Sequence, residues 1–276
     1  MVRLILVLAA TAILFQSGLA DVIVRYKSEV LIAQSRQYKT SGSYNISGDK
    51  NYSESTTRFS MLNVPGTPFN INAKRIYQLD KGTCWTLLPD SKYSEESIKS
   101  QHSSIEQTVD YTWTYVVDPA EGKKINKFQC LGQTGKAVGI NLKDPADSVF
   151  ITFEQWSSED TIIGVEFNQY QKRFSQVAGT HRMWAHDHLS TFLESSYGGQ
   201  FENLSDTFVN CSGIPIKINV QIERTVLPDD SDKGKNVKPK EGGNWKLGLI
   251  KYEVTDIENT DIKNHQFEIP SGYQRK

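Results

Sequence analysis

Two stretches of strict alternation constrain the fold of this chain more than any other feature of its sequence. In "DYTWTYVVD" (residues 110–118) and "IPIKINVQIER" (Ile214–Arg224), large apolar residues occupy every second position. These positions are Tyr111, Trp113, Tyr115 and Val117 in the first stretch and Ile214, Ile216, Ile218, Val220 and Ile222 in the second. Because successive side chains of a strand point to opposite faces, the spacing predicts two strands that each have one apolar and one polar face.

Other segments rich in β-branched and aromatic residues predict further strands. Residues 148–156 and 161–167 flank a polar corner and are typical of a hairpin, as are the two apolar runs around Asp80-Lys81-Gly82. Additional strands are predicted at residues 22–31, 37–46, 57–62, 127–131, 245–255 and 265–269.

Helical signals are few. Residues 94–107 and 187–199 predict short helices, and residues 167–176 fit either a short helix or a continued strand. Neither an internal repeat nor a composition break divides the chain. The sequence therefore predicts a single, mainly β domain over residues 21–276, built on an antiparallel sheet with one or two short helices.

Residues 1–20 predict a signal peptide, with Arg3 before an apolar run and small residues at its end. The alternative is an uncleaved anchor, but the run is shorter than the ~20 residues that cross a bilayer. Cleavage leaves about 256 residues, enough for one large domain or two small ones. Export predicts a secreted, extracellular protein, with the lysosomal lumen as the alternative destination.

Export also gives a context for N-glycans and disulfides. Asn-x-Ser acceptors occur at Asn45, Asn51, Asn203 and Asn210. The chain has 3 cysteines, which in an oxidising compartment favour disulfides over metal or catalytic thiols. They are Cys84, Cys130 and Cys211. All three pairings remain open, and the odd thiol permits a disulfide-linked homodimer.

Net charge and the remaining motifs argue against a nucleic-acid partner, an enzymatic activity and a metal site. A formal net charge of −1 gives no support to nucleic acid or to a polybasic membrane surface as a partner. No Gly-x-Ser-x-Gly, His-Glu-x-x-His, phosphate loop or Cys-x-x-Cys motif is present. His186 and His188 could hold a transition metal with His181 or Asp187, but a surface turn that enters the following helix is the favoured explanation. Residues 228–243 fail as a calcium loop because Lys233 and Lys240 occupy positions that need oxygen ligands. We predict no enzyme, no cofactor and no metal site.

Three motifs carry a family resemblance. "RIYQLDKGTCWTLLPDSKY", "FVNCSGIPIKINVQIE" and "YEVTDIENTDIKNHQFEIPSGYQ" together resemble secreted ependymin-related proteins and the animal proteins that share the bacterial lipoprotein-carrier (LolA-like) fold. The resemblance implies a curved antiparallel half-barrel, short helices covering its concave face, and an apolar pocket that holds lipid. The chain departs from the family at Tyr273, where those proteins tend to have a closing cysteine.

Strand faces and resemblance together predict a binding site and a function. The predicted pocket wall consists of Tyr111, Trp113, Tyr115, Ile216, Ile218, Val220 and Ile222. A helix around residues 189–193 would be its lid, with His181 or Arg182 at the mouth. The predicted function is non-enzymatic binding of a lipid or another hydrophobic molecule. The alternatives are an adhesive or matrix protein that uses its surface to bind an extracellular protein, and a hydrolase with an unrecognised site.

Overall fold

The computed structural model describes residues 21–32, 36–61, 68–99, 111–158, 163–178, 213–225 and 244–276. Within them the strands are β1 (Val22–Ile32), β2 (Arg36–Ser47), β3 (Lys50–Met61), β4 (Phe69–Gln78), β5 (Thr83–Leu88), β6 (Lys92–Ser97), β7 (Tyr111–Ile125), β8 (Phe128–Asn141), β9 (Ser148–Ser158), β10 (Ile214–Arg224), β11 (Trp245–Asn259) and β12 (Gln274–Arg275). The α-helix α1 covers Ile163–Ala178, and 3-10 turns cover Leu79–Lys81 and Asn264–Phe267.

All of these strands form one 12-stranded sheet in the order β12-β6-β5-β4-β3-β2-β1-β11-β10-β9-β8-β7. Neighbours are antiparallel except β12 and β6, which are parallel. Since β11 pairs with β1, the last long strand of the chain joins the two halves of the sheet. The sheet is open and curved, so the mainly β prediction is confirmed.

Strand register places the apolar alternation on one face. One row across the sheet runs through Tyr115, Ala137, Ile151, Ile222, Gly248 and Ile32. We call the face that carries this row the inner face and the opposite one the outer face. Most of the inner-face side chains on β8 to β11 are buried and belong to one hydrophobic core.

Helix α1 packs on β1, β2, β10 and β11. Phe167, Tyr170, Phe174 and Ala178 recur at the three- and four-residue spacing of one helical face, and all four are buried. The strand predicted over residues 161–167 is therefore wrong, because the structure is helical from Ile163 onward. Of the two alternatives for residues 167–176, the helix is confirmed.

Two other local predictions are also wrong. Residues 92–97 form β6 and not the start of a helix, because they pair along β5, for example at Glu95 with Trp85. Residues 264–267 form a 3-10 turn in place of a strand, and this turn inserts Phe267 fully buried beside Ile76. The strands predicted at 22–31, 37–46, 57–62, 127–131 and 245–255 are confirmed, most of them inside longer strands. The helix predicted at 187–199 lies outside the described residues.

The β7–β8 hairpin closes one corner of the sheet. At its tip the Asn126 amide donates to Glu253 Oε1 at 3.0 Å and to the Val254 carbonyl at 3.2 Å, and the Lys127 ammonium donates to Asp256 Oδ1 at 2.5 Å. Glu253 and Asp256 alternate with the inner-face residues of β11, so the tip rests on the outer face. This contact places the first residues of β8, next to the hairpin tip, over the outer face of the sheet.

Candidate ligand-binding face

A row of small residues, Gly135 and Ala137, follows β8 on the inner face and forms a floor between the larger side chains of the paired strands on either side. On β7 the wall residues are Val117 and Tyr115, and on β9 they are Phe153 and Ile151. We call this feature the β8 groove. The floor and the β9 wall are buried, with Ala137 at 1% exposure, so the protein itself covers them and Tyr115 marks the exposed edge.

The aromatic side of the groove is open to solvent. Tyr115 is 53% exposed, although its neighbour Tyr111 is only 7% exposed. Trp113 lies flat on β8, with ring carbons 2.8 Å from where a side chain of Gly139 would begin, so only glycine fits beneath it. Its ring lies 5.8 Å from that of Tyr111. The two residues form a rigid aromatic border beside the exposed Tyr115.

The aliphatic side is continuous with the core. Ile216, Ile218, Val220 and Ile222 are each at most 5% exposed on the inner face of β10. The structure therefore brings all seven predicted wall residues to one face, but separates an open aromatic part from a buried aliphatic part. Whether these residues contact a ligand remains a prediction.

Sequence reasoning missed a second aromatic cluster, at the opposite wing of the inner face. Tyr38, Phe59 and Phe69 are paired across β2, β3 and β4, with centroid distances of 4.9 and 5.0 Å. Phe69 is 54% exposed and Ile71 is 45% exposed. Only strand register reveals the cluster, because each strand contributes a single ring and none has a long aromatic alternation of its own.

A tyrosine ladder spans the centre of the inner face. Tyr26 stacks on Tyr44 at 4.7 Å and on Tyr252 at 5.6 Å, joining β2, β1 and β11. Burial, followed by the charge of Tyr26, raises the pKa of Tyr252 above its ordinary value. Tyr252 therefore stays un-ionised at physiological pH, and the ladder contributes packed aromatic surface.

A buried ion pair stabilises the rim of the groove. Arg224 on β10 binds Asp147 through two hydrogen bonds, of 2.5 and 2.7 Å, and Asp147 also accepts from Tyr111 and from Asn141. Burial alone would raise the pKa of Asp147, but these hydrogen bonds outweigh it and lower that pKa. Burial, with a further contribution from Asp147, raises the pKa of Tyr111 to about 12. These hydrogen bonds hold the rim residues in place, and the charges of Asp147 and Arg224 neutralise each other.

Helix α1 is tied to the β2–β3 turn at the other end of the sheet. Glu166 Oε1 accepts from the Gly48 amide at 3.0 Å, and Arg173 donates to the Gly48 carbonyl at 2.9 Å. Arg173 also pairs with Asp49 at 3.0 Å. Burial raises the pKa of Glu166, with Gly48 and Arg173 opposing the rise.

The predicted disulfide and glycan positions have different outcomes. Cys84 faces inward on β5 and Cys130 outward on β8, and no disulfide joins them. Asn45 is partly exposed and donates to Gln266 at 3.1 Å. Asn51 is only 4% exposed within the core, a position that does not favour a glycan, and glycosylation at Asn45 and Asn51 stays a prediction. Cys211, Asn203, Asn210, Arg182 and the histidines at 181, 186 and 188 lie outside the described residues.

Two negative findings apply to the described ranges only. No cluster of three or more His, Cys, Asp or Glu side chains in them could hold a metal ion. In the same part of the chain, no helix is long and apolar enough to span a bilayer.

Comparisons with known proteins give one structural match. No family model matches the chain, and no curated protein matches its sequence. Among solved structures, a LolA superfamily protein from Nitrosomonas europaea aligns over 91% of this chain and 90% of its own, with 9% identity and a TM-score of 0.28. A TM-score of that size is too low to assign the chain to that superfamily. The comparisons give no support to the ependymin-related part of the resemblance.

Proposed function

We propose that this chain is a secreted, non-enzymatic glycoprotein that binds a lipid or another apolar small molecule in the β8 groove. The observation that carries the proposal is the exposure of Tyr115 beside a floor of small residues and a buried aliphatic wall. Ligand sites of this kind are concave and mostly apolar, with few polar groups. Burial of apolar surface would supply the affinity, at about 25 cal/mol per Å2.

Native mass spectrometry of the protein secreted from eukaryotic cells, with organic extraction, tests the proposal. We expect a stoichiometric lipid or sterol to be carried. Deglycosylated protein that is empty, and stays empty after incubation with mixed lipids, would refute ligand binding. Retention of the protein inside the cell would refute secretion.

A pair of neighbouring residues gives a matched test of the groove. Tyr115 is 53% exposed on the inner face, and Val116 is 62% exposed on the outer face of the same strand. Tyr115→Ser should weaken lipid binding about tenfold by removing aromatic contact area. Val116→Ser should leave lipid affinity unchanged. Equal losses in both variants would place the ligand elsewhere.

A second candidate function is adhesion through the outer face. Val116 is 62% exposed, and Ile140 is 46% exposed on the strand paired with it. Leu142, just past β8, is 65% exposed. Ile140 and Leu142 are two residues apart at the end of β8, whereas Val116 pairs with Lys136, four residues from Ile140. Exposed apolar residues on one face often mark protein contacts. If this role is the principal one, Val116→Ser combined with Ile140→Ser should abolish binding to an extracellular partner without changing the lipid content.

A further inference from the structure

One edge of the sheet is long and is not covered by any described strand. β7 ends the strand order, is 15 residues long and pairs with β8 alone among the described strands. The opposite edge is β12, which is only 2 residues long and whose Arg275 pairs with Glu95 of β6 at 3.5 Å. Short and charged edge strands resist further pairing. Of these two edges, β7 is therefore the one that can accept another strand.

The first half of β7 has the composition of a strand that pairs. Residues 111–117 read "YTWTYVV", in which every residue is β-branched or aromatic and none is charged. Tyr115 on the inner face and Val116 on the outer face are both more than half exposed. Both faces of the strand are thus open at these two residues. An uncharged, exposed edge of this kind is a template for a strand of another molecule.

The contacts of β8 show which backbone groups of β7 face the open edge. The Asn141 amide donates to the Asp147 carbonyl at 3.1 Å, on the side of β9, so the backbone of Asn141 points away from β7. Its partner on β7 is Tyr111, and such a pair in an antiparallel ladder is not hydrogen-bonded, so the backbone of Tyr111 points away from β8. Pro119, which no register shift separates from Tyr111, agrees, because a proline in an edge strand directs its nitrogen to the open side. The odd-numbered residues of 111–119 therefore present their backbone groups to the edge.

The stretch that can pair has a defined centre. It begins at Tyr111, the first residue of β7, and ends at Pro119, which lacks an N–H group and lies just before the bulge between Ala120 and Lys123. Tyr115 is the midpoint of this stretch. Two copies that pair antiparallel about Tyr115 use the whole stretch, because Tyr111 of one copy then lies opposite Pro119 of the other.

The charges in this stretch favour a second copy as the partner. Its only charged residue is Asp118, and pairing about Tyr115 places Asp118 opposite Thr112, so like charges do not face each other. On the inner face Trp113 lies opposite Val117, and an aromatic residue against a β-branched one is a favourable cross-strand pair. The same patch is thus complementary to itself, as a two-fold symmetric interface requires.

We propose that two copies of this chain associate through β7, antiparallel about Tyr115, so that their sheets join into one continuous sheet across a two-fold axis. This contact goes beyond the proposed ligand binding and does not depend on it. Because the contact joins the edges of strands, the inner-face surface of Tyr115 stays available to a ligand.

Opposite charges at the two-fold axis test the contact. The full chain, produced in eukaryotic cells, is measured by sedimentation velocity across the micromolar range, because an interface of one strand pair is small and the dimer weak. We expect a concentration-dependent dimer. Tyr115→Lys and Tyr115→Asp should each weaken it about tenfold, since each places two like charges opposite each other. An equal mixture of the two variants should dimerise about tenfold more tightly than either alone, because opposite charges then face each other.

The other outcomes overturn the proposal. A monomer at every concentration excludes the contact, and a mixture of folded variants, checked by circular dichroism, that stays monomeric excludes pairing about Tyr115. A dimer that persists on a non-reducing denaturing gel is linked by a disulfide instead. Phe69→Lys is the matched control, because Phe69 on β4 is 54% exposed, against 53% for Tyr115. The control should keep the dimer of the unmodified protein, and loss of the dimer there would overturn the assignment to β7.

Discussion

Asp147 shows how much a single buried carboxylate can contribute at the rim of the groove. Its side chain is 4% exposed and that of Arg224 is 17% exposed. Asp147→Asn would leave the guanidinium without its charge partner, so we expect a loss of about 3 kcal/mol in unfolding free energy. Urea denaturation measures this loss. Asp118→Asn, at an exposed position, is the control and should change stability by less than about 0.5 kcal/mol.

The pH dependence of Asp147 has a definite sign. Its pKa is lowered in the folded state, so its contribution is complete above the ordinary value of 3.8 and is lost as the pH falls through the lowered pKa. The stability difference between the unmodified protein and Asp147→Asn should therefore shrink below pH 3.8. A difference that stays constant on acidification would contradict the assignment.

Glu166 should show the opposite sign. Burial raises its pKa above the ordinary 4.5, so the folded state favours the protonated form. Its contribution is complete below pH 4.5 and is lost as the pH rises through the raised pKa. Glu166→Gln keeps an acceptor for Gly48 and removes the buried charge. We expect a higher thermal midpoint at pH 7 and none of this gain at acid pH.

Calorimetry across pH measures the Glu166 effect. The exposed Glu121→Gln serves as its control and should show no pH-dependent gain. A lower midpoint for Glu166→Gln at pH 7 would mean that the Gly48 amide and the Arg173 charge stabilise the ionised form more than burial and the Asp49 charge oppose it.

At the scale of elements, the attachment of α1 depends on its aromatic residues. Phe174 is 4% exposed and lies edge-on to Tyr77 at 5.7 Å. Phe174→Ala should cost about 3 kcal/mol in unfolding free energy through lost transfer energy and the cavity left behind. The exposed Lys172→Ala should change stability by less than about 0.5 kcal/mol. A comparable loss in both variants would mean that the loss does not come from the packing of Phe174, since alanine has the higher helix propensity at both positions.

Sequence predicts the elements whose pattern is local. β7 and β10 are predictable because each alternates over more than seven residues, and the register confirms which of their residues share a face. Helix α1 is missed in part because its first turn is rich in β-branched residues, although Phe167, Tyr170 and Phe174 have helical spacing. In this segment the local preferences for helix and for strand are nearly equal, and packing against the sheet selects the helix.

The candidate site is less predictable from the sequence because it forms only when several strands pair in the observed register. Gly135 and Ala137 form a floor only because larger residues, among them Tyr115 on β7 and Ile151 on β9, lie on the paired strands on either side. In the sequence these are two small residues in an ordinary strand. The burial of Gln155, which is 2% exposed, is likewise hidden, since nothing in "FEQWSS" indicates that this residue faces the core. Pairwise alignment of strands is long-range information that a single strand does not contain.

At the scale of the whole molecule, sheet order restricts the disulfides. Cys84 lies on the inner face of β5, opposite Tyr77, and Cys130 lies on the outer face of β8, opposite Lys123. Seven strands stand between β5 and β8 in the sheet. A disulfide requires Cα atoms about 5.5–6 Å apart. These two cysteines therefore cannot pair within one chain, and any intramolecular disulfide includes Cys211.

Chain length favours Cys130 as the partner. Ile214 begins β10 opposite Ser158, and Ser158 is also the partner of Cys130. Two strand spacings separate Ile214 from Cys130, about 10 Å, and the three residue-to-residue steps from Ile214 back to Cys211 can span that distance. We expect non-reducing peptide mapping of the protein produced in eukaryotic cells to find Cys130 linked to Cys211 and to lose this link in Cys130→Ser but not in Cys84→Ser. A peptide joining Cys84 to Cys130 within one chain would contradict the sheet order itself.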